Sequence, residues 1–388
     1  MGKKATRPPI PTNVQYVVWA AAAGRCTFCN NIVTDNADLG LAVPVGEIAH
    51  NVGWSPKSPR GKSELSEPDR SLPDNLLLLC RNCHKPTDEG GVIGLYTVDV
   101  LKAMKQDHEA AMRMLTSVRK GKKAVVLRIV GEIRGTKPEL AFQTVLEATI
   151  RSGLFPKRLD EASYRENIEL DLRSRAAAGT PAYFSECARE IDTLLKRVNE
   201  GIVQDSDVTQ LAIFAFARIP LLVHLGARID DKIRANLYQR QRSDTGEAWF
   251  WPDSPNSTPS FEINQLRGGG GSVAIIVNMS GTVSVADLPA SHANATVYEI
   301  KPQQPASTTP SLIDSPEALA SFEKTVRKFL ADIERDHTQL QSLSLFGAIP
   351  LTAAITIGRA LMPDVSPTLA VYDRDDDGKF FMALEVKK

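Results

Sequence analysis

Asn75-Leu-Leu-Leu-Leu-Cys80-Arg-Asn-Cys83-His84 joins an apolar run to a Cys-x-x-Cys pair, with a histidine directly after the second cysteine. Upstream, Cys26-Thr-Phe-Cys29 supplies a second such pair, and His50 stands between the two. Four thiolates in two knuckles satisfy a tetrahedral Zn²⁺ and leave no open position, the pattern of a structural metal rather than a catalytic one. His50, Asn75 and His84 are then spare polar groups on the scaffold that the zinc fixes. Each has a bland reading: a surface histidine on a hairpin, a turn cap, a knuckle residue that only hydrogen-bonds. Together they point to chemistry. Imidazole titrates near neutral pH, so His50 suits a general base that deprotonates water. His84 suits a neutral ligand to a second, catalytic divalent ion that stabilises charge on a phosphate. Asn75 holds the base or the water through its amide, or joins that ion's ligands.

A chain of 388 residues has room for two or three domains. Lys+Arg and Asp+Glu are both 46, but residues 1–123 hold 17 Lys+Arg against 12 Asp+Glu, leaving 29 against 34 for the rest. The basic end is therefore the one with the cysteine pairs, as a nucleic-acid-binding module requires. Lys57, Arg60 and Lys62, in the polar stretch after His50, are candidate phosphate contacts. The N-terminus lacks the apolar run of a signal peptide, and the longest apolar stretches, such as Ser272–Met279, are too short to span a bilayer. Paired metal-type cysteines fit a reducing cytoplasm, and no membrane partner is expected.

The polar run Arg119-Lys-Gly-Lys-Lys123 reads as a linker between a domain over 1–118 and another over 124–388. In the second, apolar strands alternate with helices, expected at Glu139–Ser152, Ala182–Asn199, Pro316–His337 and Thr352–Leu361, which argues for α/β with a largely parallel sheet. A repeat runs through it. Phe214-Ala-Phe-Ala-Arg-Ile-Pro220 matches Ser344-Leu-Phe-Gly-Ala-Ile-Pro350, Tyr238-Gln-Arg240 matches Tyr372-Asp-Arg374, and Trp249 falls opposite Phe381. Offsets of 130 to 134 residues imply two α/β halves, roughly 124–255 and 256–388, about a pseudo-two-fold axis. Ligands of open α/β sheets sit beyond the carboxyl ends of strands. The candidates there are Arg218, Pro220, Tyr238, Arg240, Gly347, Pro350, Tyr372 and Arg374. Trp249 and Trp251 either stack on a ligand base or belong to the core. His224 reads as a core histidine, His292 as a loop residue, His337 as a solvated helix end and His108 as helix packing.

Gly24-Arg-Cys-Thr-Phe-Cys29, Ile48-Ala-His50, the Asn75–His84 stretch and Asp88 resemble the HNH endonucleases, whose core is a ββα-metal unit. The resemblance covers roughly 14–115, and the three letters of the motif fall on His50, Asn75 and His84. Many members carry an acidic ligand immediately before the first histidine; here that residue is Ala49, leaving Glu47, His50 or Asn75 to complete the site. Residues 124–388, through Phe346-Gly-Ala-Ile-Pro350 and the two Tyr-x-Arg motifs, resemble the SAVED domain, a fused pair of CARF-like (CRISPR-associated Rossmann) halves. The order HNH then SAVED is similar to anti-phage effectors of CBASS systems. That resemblance implies a DNA nuclease that cuts duplex DNA with little sequence preference. A cyclic di- or trinucleotide from a partner nucleotidyltransferase would switch it on, with Zn²⁺ structural, Mg²⁺ or another divalent ion catalytic, and a homo-oligomer that grows from dimer to higher order. A zinc-scaffolded DNA-binding regulator with an effector domain, and a restriction-type nuclease reading modified DNA, are the alternatives.

Overall fold

A computed structural model describes residues 9–34, 44–89, 93–117, 122–133, 135–136, 138, 140–156, 169–173, 179–204, 208–229, 232–243 and 246–388. The chain divides into two compact units, Met1–Arg119 and Lys120–Lys388. Of the expected linker, 119–121 fall outside the described residues, and Lys122 and Lys123 are not linker but open a strand.

The N-terminal unit contains α1 (Thr12–Ala21), β1 (Gly46–His50), β2 (Leu76–Cys80), α2 (Arg81–Thr87) and α3 (Val98–Ser117). β1 and β2 pair antiparallel, with His50 opposite Leu76 and Gly46 opposite Cys80. Leu76–Leu79 are all buried, and with Val18, Ala22, Cys26, Val33, Ala49 and Leu101 they form this unit's core. A core so small gains from a metal staple. The connection from β1 to β2 is the largely exposed loop its Ser, Pro and Lys content suggests, but it is pinned from within. Arg70 is buried, donating from Nε to Leu65 O (3.0 Å) and from Nη1 to Gly53 O (2.8 Å). A Cβ on Gly61 would lie 1.9 Å from Ser55 O, so the chain can close this tightly only with glycine there.

The C-terminal unit runs β3 (Lys122–Val130), α4 (Phe142–Arg151), β4 (Leu154–Pro156), β5 (Glu169–Asp171), α5 (Pro181–Gln204), β6 (Val208–Phe216), α6 (Ile219–Arg228), β7 (Arg234–Tyr238) and a small hairpin of β8 (Gln241–Ser243) and β9 (Gly246–Ala248). It continues with β10 (Phe261–Arg267), β11 (Val273–Asn278), β12 (Thr296–Pro302), α7 (Pro316–Asp336), β13 (Ser342–Ala348), α8 (Leu351–Ala360), β14 (Thr368–Arg374) and β15 (Phe380–Val386). Two sheets form, one in each half: β4-β3-β6-β7 with β5 also on β3, all parallel, and β10-β12-β11-β13-β14-β15, parallel inside with an antiparallel strand at each edge. β6-α6-β7 and β13-α8-β14 are the repeated units. They meet where α6 and α8 pack together, a contact so close that a Cβ on Gly226 would lie 1.9 Å from Ile355 O, and one on Gly358 1.9 Å from Val223 O.

Candidate functional site

In the N-terminal unit, Gly24, in the left-handed region at φ 66°, ends the turn after α1 and delivers Cys26 to the end of the β hairpin. The ligand atoms of Cys26, Cys29, Cys80 and Cys83 all lie within 4.8 Å of one another. Cys29 Sγ and Cys80 Sγ are 3.8 Å apart. A zinc–sulfur bond of about 2.3 Å gives a tetrahedron edge of about 3.8 Å, so the donor set fits a Cys₄ zinc. Burial, reinforced by the neighbouring Cys80 thiol, pushes the Cys83 thiol far above its ordinary range. Four such groups share this space as thiolates only if a cation balances them.

Asn75 is buried, and both ends of its amide are hydrogen-bonded. Val52 N–H donates to Oδ1 (2.8 Å), while Nδ2 donates to Val52 O and Arg70 O, both at 2.9 Å. It clamps the chain immediately after His50, whose next residue also donates its N–H to Asn75 O at 2.8 Å. This corrects the placing of Asn75 among metal ligands: the residue is 6% exposed and its amide is committed to holding the chain after His50. His50 itself closes β1 and is half-buried.

His84, on α2, has Nδ1 2.7 Å from Glu47 Oε2 on β1 and Nε2 3.8 Å from Asp88 Oδ2. A carboxylate only accepts, so the proton of neutral His84 belongs on Nδ1, which leaves the Nε2 lone pair facing Asp88. Ala49 offers no ligand atom, and the carboxylate of Asp88, four residues after His84, stands beside that ring instead. Arg60 fixes the other carboxylate oxygen: its Nη2 lies 2.9 Å from Asp88 Oδ1. The same guanidinium, 6% exposed, donates to Asn51 O (2.7 Å), Thr87 O (2.5 Å) and His50 O (3.3 Å). Arg60 is therefore not a phosphate contact but the tie between the His50 turn and the end of α2. Lys57 and Lys62 stand exposed, as expected of such contacts.

In the C-terminal unit, the two repeats carry matching aromatic stacks, Phe214 on Tyr238 at 4.1 Å and Phe346 on Tyr372 at 4.3 Å between ring centres. Tyr238 and Trp249 are 2% and 1% exposed, so both are core residues rather than ligand platforms. Tyr372 is half-buried. Pro220 and Pro350 are buried starts of α6 and α8, and Gly347 lets β13 approach Val277 O, which a Cβ would meet at 2.6 Å. Arg240 lies 4.8 Å above Phe216, and Arg374 lies 4.2 Å above Phe380 while donating to Gly378 O. Trp251 lines a cavity of about 620 Å³ beside β7. Arg218 precedes α6 and pairs with Asp373 at 3.1 Å across the two halves. Gln239 reaches the other way, its Oε1 accepting from Thr352 N–H (3.1 Å) and Thr352 Oγ1 (2.7 Å) at the start of α8. In each Tyr-x-Arg motif the middle residue makes the crossing.

The other histidines separate by burial. Buried His224 bonds through Nε2 to Asp192 Oδ1 (2.8 Å), whose side chain is 43% exposed. His292 is not a loop residue; it is 5% exposed, 2.9 Å from Ser344 Oγ, edge-on to Phe346 and Tyr372. Burial lowers the basicity of both.

Residues 194–386 match the family model of the SMODS-associated and fused to various effectors sensor domain. The C-terminal unit carries a SAVED sensor domain. Its match begins inside α5 and runs through β15, so it includes both repeated units. Among solved structures, the chain is similar to the Acinetobacter baumannii Cap4 SAVED/CARF-domain containing receptor with the cyclic trinucleotide 3′3′3′-cAAA, at 15% identity and TM-score 0.44, covering 63% of this chain and 54% of that one. The same receptor with 2′3′3′-cAAA gives 12% identity, TM-score 0.43, and 74% and 56% coverage. The Moraxella osloensis Cap4 receptor gives 14%, 0.37, and 68% and 50%. The chain thus spans about half the length of the structures it matches. No curated protein matches it. Among the described residues no helix is long and apolar enough to cross a membrane.

Proposed function

We propose that this SAVED protein is a cytoplasmic CBASS effector in which a cyclic di- or trinucleotide, bound by the C-terminal unit, licenses the N-terminal unit to hydrolyse duplex DNA. The observation that supports the nuclease half of this reading is the His84 arrangement: an imidazole on α2, its Nε2 beside Asp88, oriented by Glu47 from the hairpin strand that ends in His50. His84 Nε2 and the Asp88 carboxylate would hold a divalent ion such as Mg²⁺, which supplies charge stabilisation at a phosphate when bound. Glu47 fixes the His84 tautomer. Asn75 and Arg60 hold the turn that carries His50. In the reaction, His50 takes a proton from water, the water oxygen attacks phosphorus, and the ester oxygen leaves with the bonding pair. Lys57 and Lys62 bind phosphates, which carry no sequence information, so little base preference is expected.

The experiment incubates full-length protein, plasmid and Mg²⁺ with a panel of cyclic di- and trinucleotides. Cleavage that depends on one panel member is the expected result. Binding of a cyclic nucleotide without any cleavage would leave a sensor joined to some other effector.

A further inference from the structure

The cavity beside β7 runs along the whole strand, from Arg234 at its start to Tyr238 at its end, and reaches the second half of α8. Arg234 opens β7, and Thr356 and Arg359 belong to the second half of α8, whereas Arg218, Gln239 and Asp373 cluster at the starts of α6 and α8. Among the described residues β7 pairs only with β6, so its other edge is open, and all five of its residues line the cavity. A volume of about 620 Å³ lies inside the range of small-molecule sites, about 300–1,000 Å³.

Its lining is specific in chemistry. Arg151 from the end of α4, Arg234 from β7 and Arg359 from α8 converge on it from three elements, against the carboxylates of Asp253 and Glu323. Arg359 Nε is buried and meets no acceptor among the described residues. A buried guanidinium N–H without an acceptor is unfavourable, and a bound anion supplies one. Two aromatic side chains, Phe250 and Trp251, also line it; Arg151 lies 4.4 Å over the Phe250 ring, and Trp251 remains half-exposed. Planar arginine forks suit phosphate oxygens, an indole face suits a nucleobase, and Asp253 and Glu323 can accept from sugar hydroxyls or base amino groups. A simple inorganic anion would leave the aromatic rings unused, and a neutral aromatic would leave the arginines unused.

We propose that this cavity binds a nucleoside phosphate, with the phosphate on Arg359 and Arg234 and the base against Trp251, as a site separate from that of the activating cyclic oligonucleotide. The test titrates the four nucleoside 5′-monophosphates, adenosine and inorganic phosphate into full-length protein by calorimetry in the absence of divalent ions. At least one monophosphate should bind more tightly than adenosine or phosphate alone. Arg359→Gln and Trp251→Ala should each weaken it about tenfold or more, while Arg335→Gln, on the exposed side of α7, should leave it unchanged. Trp251→Ala carries the test alone if Arg359→Gln does not fold. No binding by any monophosphate, or binding unaffected by both variants, overturns the proposal. Displacement of the monophosphate by the activating cyclic oligonucleotide, mole for mole, overturns the separateness of the site, and it leaves the nuclease reading untouched.

Discussion

Gln239, in the first half of the sensor unit, caps Thr352 at the start of the second half's α8, and its counterpart Asp373 returns the contact to Arg218 at the start of α6. The two halves are thus latched reciprocally at one end of the α6–α8 contact, and glycines hold the helices together along it.

The glycines should tolerate no side chain. A Cβ at Gly358 would stand 1.9 Å from Val223 O and 2.7 Å from Ala227 N, both backbone atoms that cannot swing away. Gly358→Ala should cost roughly 2–3 kcal/mol in urea unfolding. Gln239→Ala, which removes two buried bonds and strands Thr352 Oγ1, should cost about 1–3 kcal/mol. Equal stability of Gly358→Ala and wild type would mean that α6 and α8 do not pack this closely in solution.

The zinc cluster and the chemistry should separate by mutation. Cys80→Ser removes one of four ligands and should lower bound zinc and soluble yield together, and a strong chelator should do the same to wild type. His50→Ala should abolish cleavage with zinc content unchanged, because the imidazole is not among the sulfur ligands. Zinc measured by atomic emission beside plasmid nicking decides both. Residual cutting by His50→Ala within about tenfold of wild type would move the general base elsewhere.

What the sequence disclosed follows from how local each feature is. The cysteine pairs and the buried Leu76–Leu79 run are short-range patterns, and so are the long helices α5 and α7. α6 is absent from the expected helices although the repeat sets it opposite the expected α8, and the structure buries both nearly all round. Arg60 reads like Lys57 and Lys62 because two of its partners, Thr87 and Asp88, lie 27 and 28 residues along the chain. The Tyr-x-Arg motifs drew attention to their ends. The fold uses the middle residue, Gln239 just past β7 and Asp373 near the end of β14, to cross between the halves.

Arg60 and the two lysines should therefore behave differently. Lys57→Ala with Lys62→Ala should weaken DNA binding and make the logarithmic salt slope shallower by about one to two. Arg60→Ala should instead lower the cleavage rate with the slope of binding unchanged, because its guanidinium is spent on His50 O, Asn51 O, Thr87 O and Asp88. Filter binding across a salt series measures the slope. A shallower slope for Arg60→Ala would return that residue to the DNA.

Two buried histidines set an acid limit on the sensor unit. Burial holds His224 and His292 below the ordinary imidazole value of 6.5, in the first case against the opposing pull of Asp192 and in the second with help from Arg267. The unfolded chain then binds more protons than the folded one once the pH drops toward that value, so stability is full above about pH 7 and falls as the solution is acidified. His292→Gln, neutral at every pH, should lose less stability than wild type between pH 7 and 5, whatever its cost at pH 7. Parallel urea titrations at several pH values provide the comparison. Identical pH slopes for the two proteins would show that His292 is protonated without penalty.

Activation should be accompanied by assembly. A nuclease without base preference needs restraint, and the SAVED-bearing unit is more than twice the length of the other. A ligand switches such a protein only by binding the active arrangement more tightly than the resting one. Arg240 and Arg374 sit just past β7 and at the end of β14, over Phe216 and Phe380, where a phosphate-bearing ring can compete for their guanidinium groups. Cutting both strands of a duplex calls for two nuclease units close together, which ligand-driven association of sensor units would provide. The expected course is a resting dimer that becomes a higher oligomer with the activating cyclic nucleotide. Arg240→Ala or Arg374→Ala should raise the nucleotide concentration needed for assembly and for cutting by the same factor, about tenfold for the loss of one charge-assisted contact. Light scattering with and without the nucleotide reads the mass. Full cleavage at an unchanged mass would place the switch inside the resting oligomer, and unequal shifts in the two concentrations would uncouple assembly from catalysis.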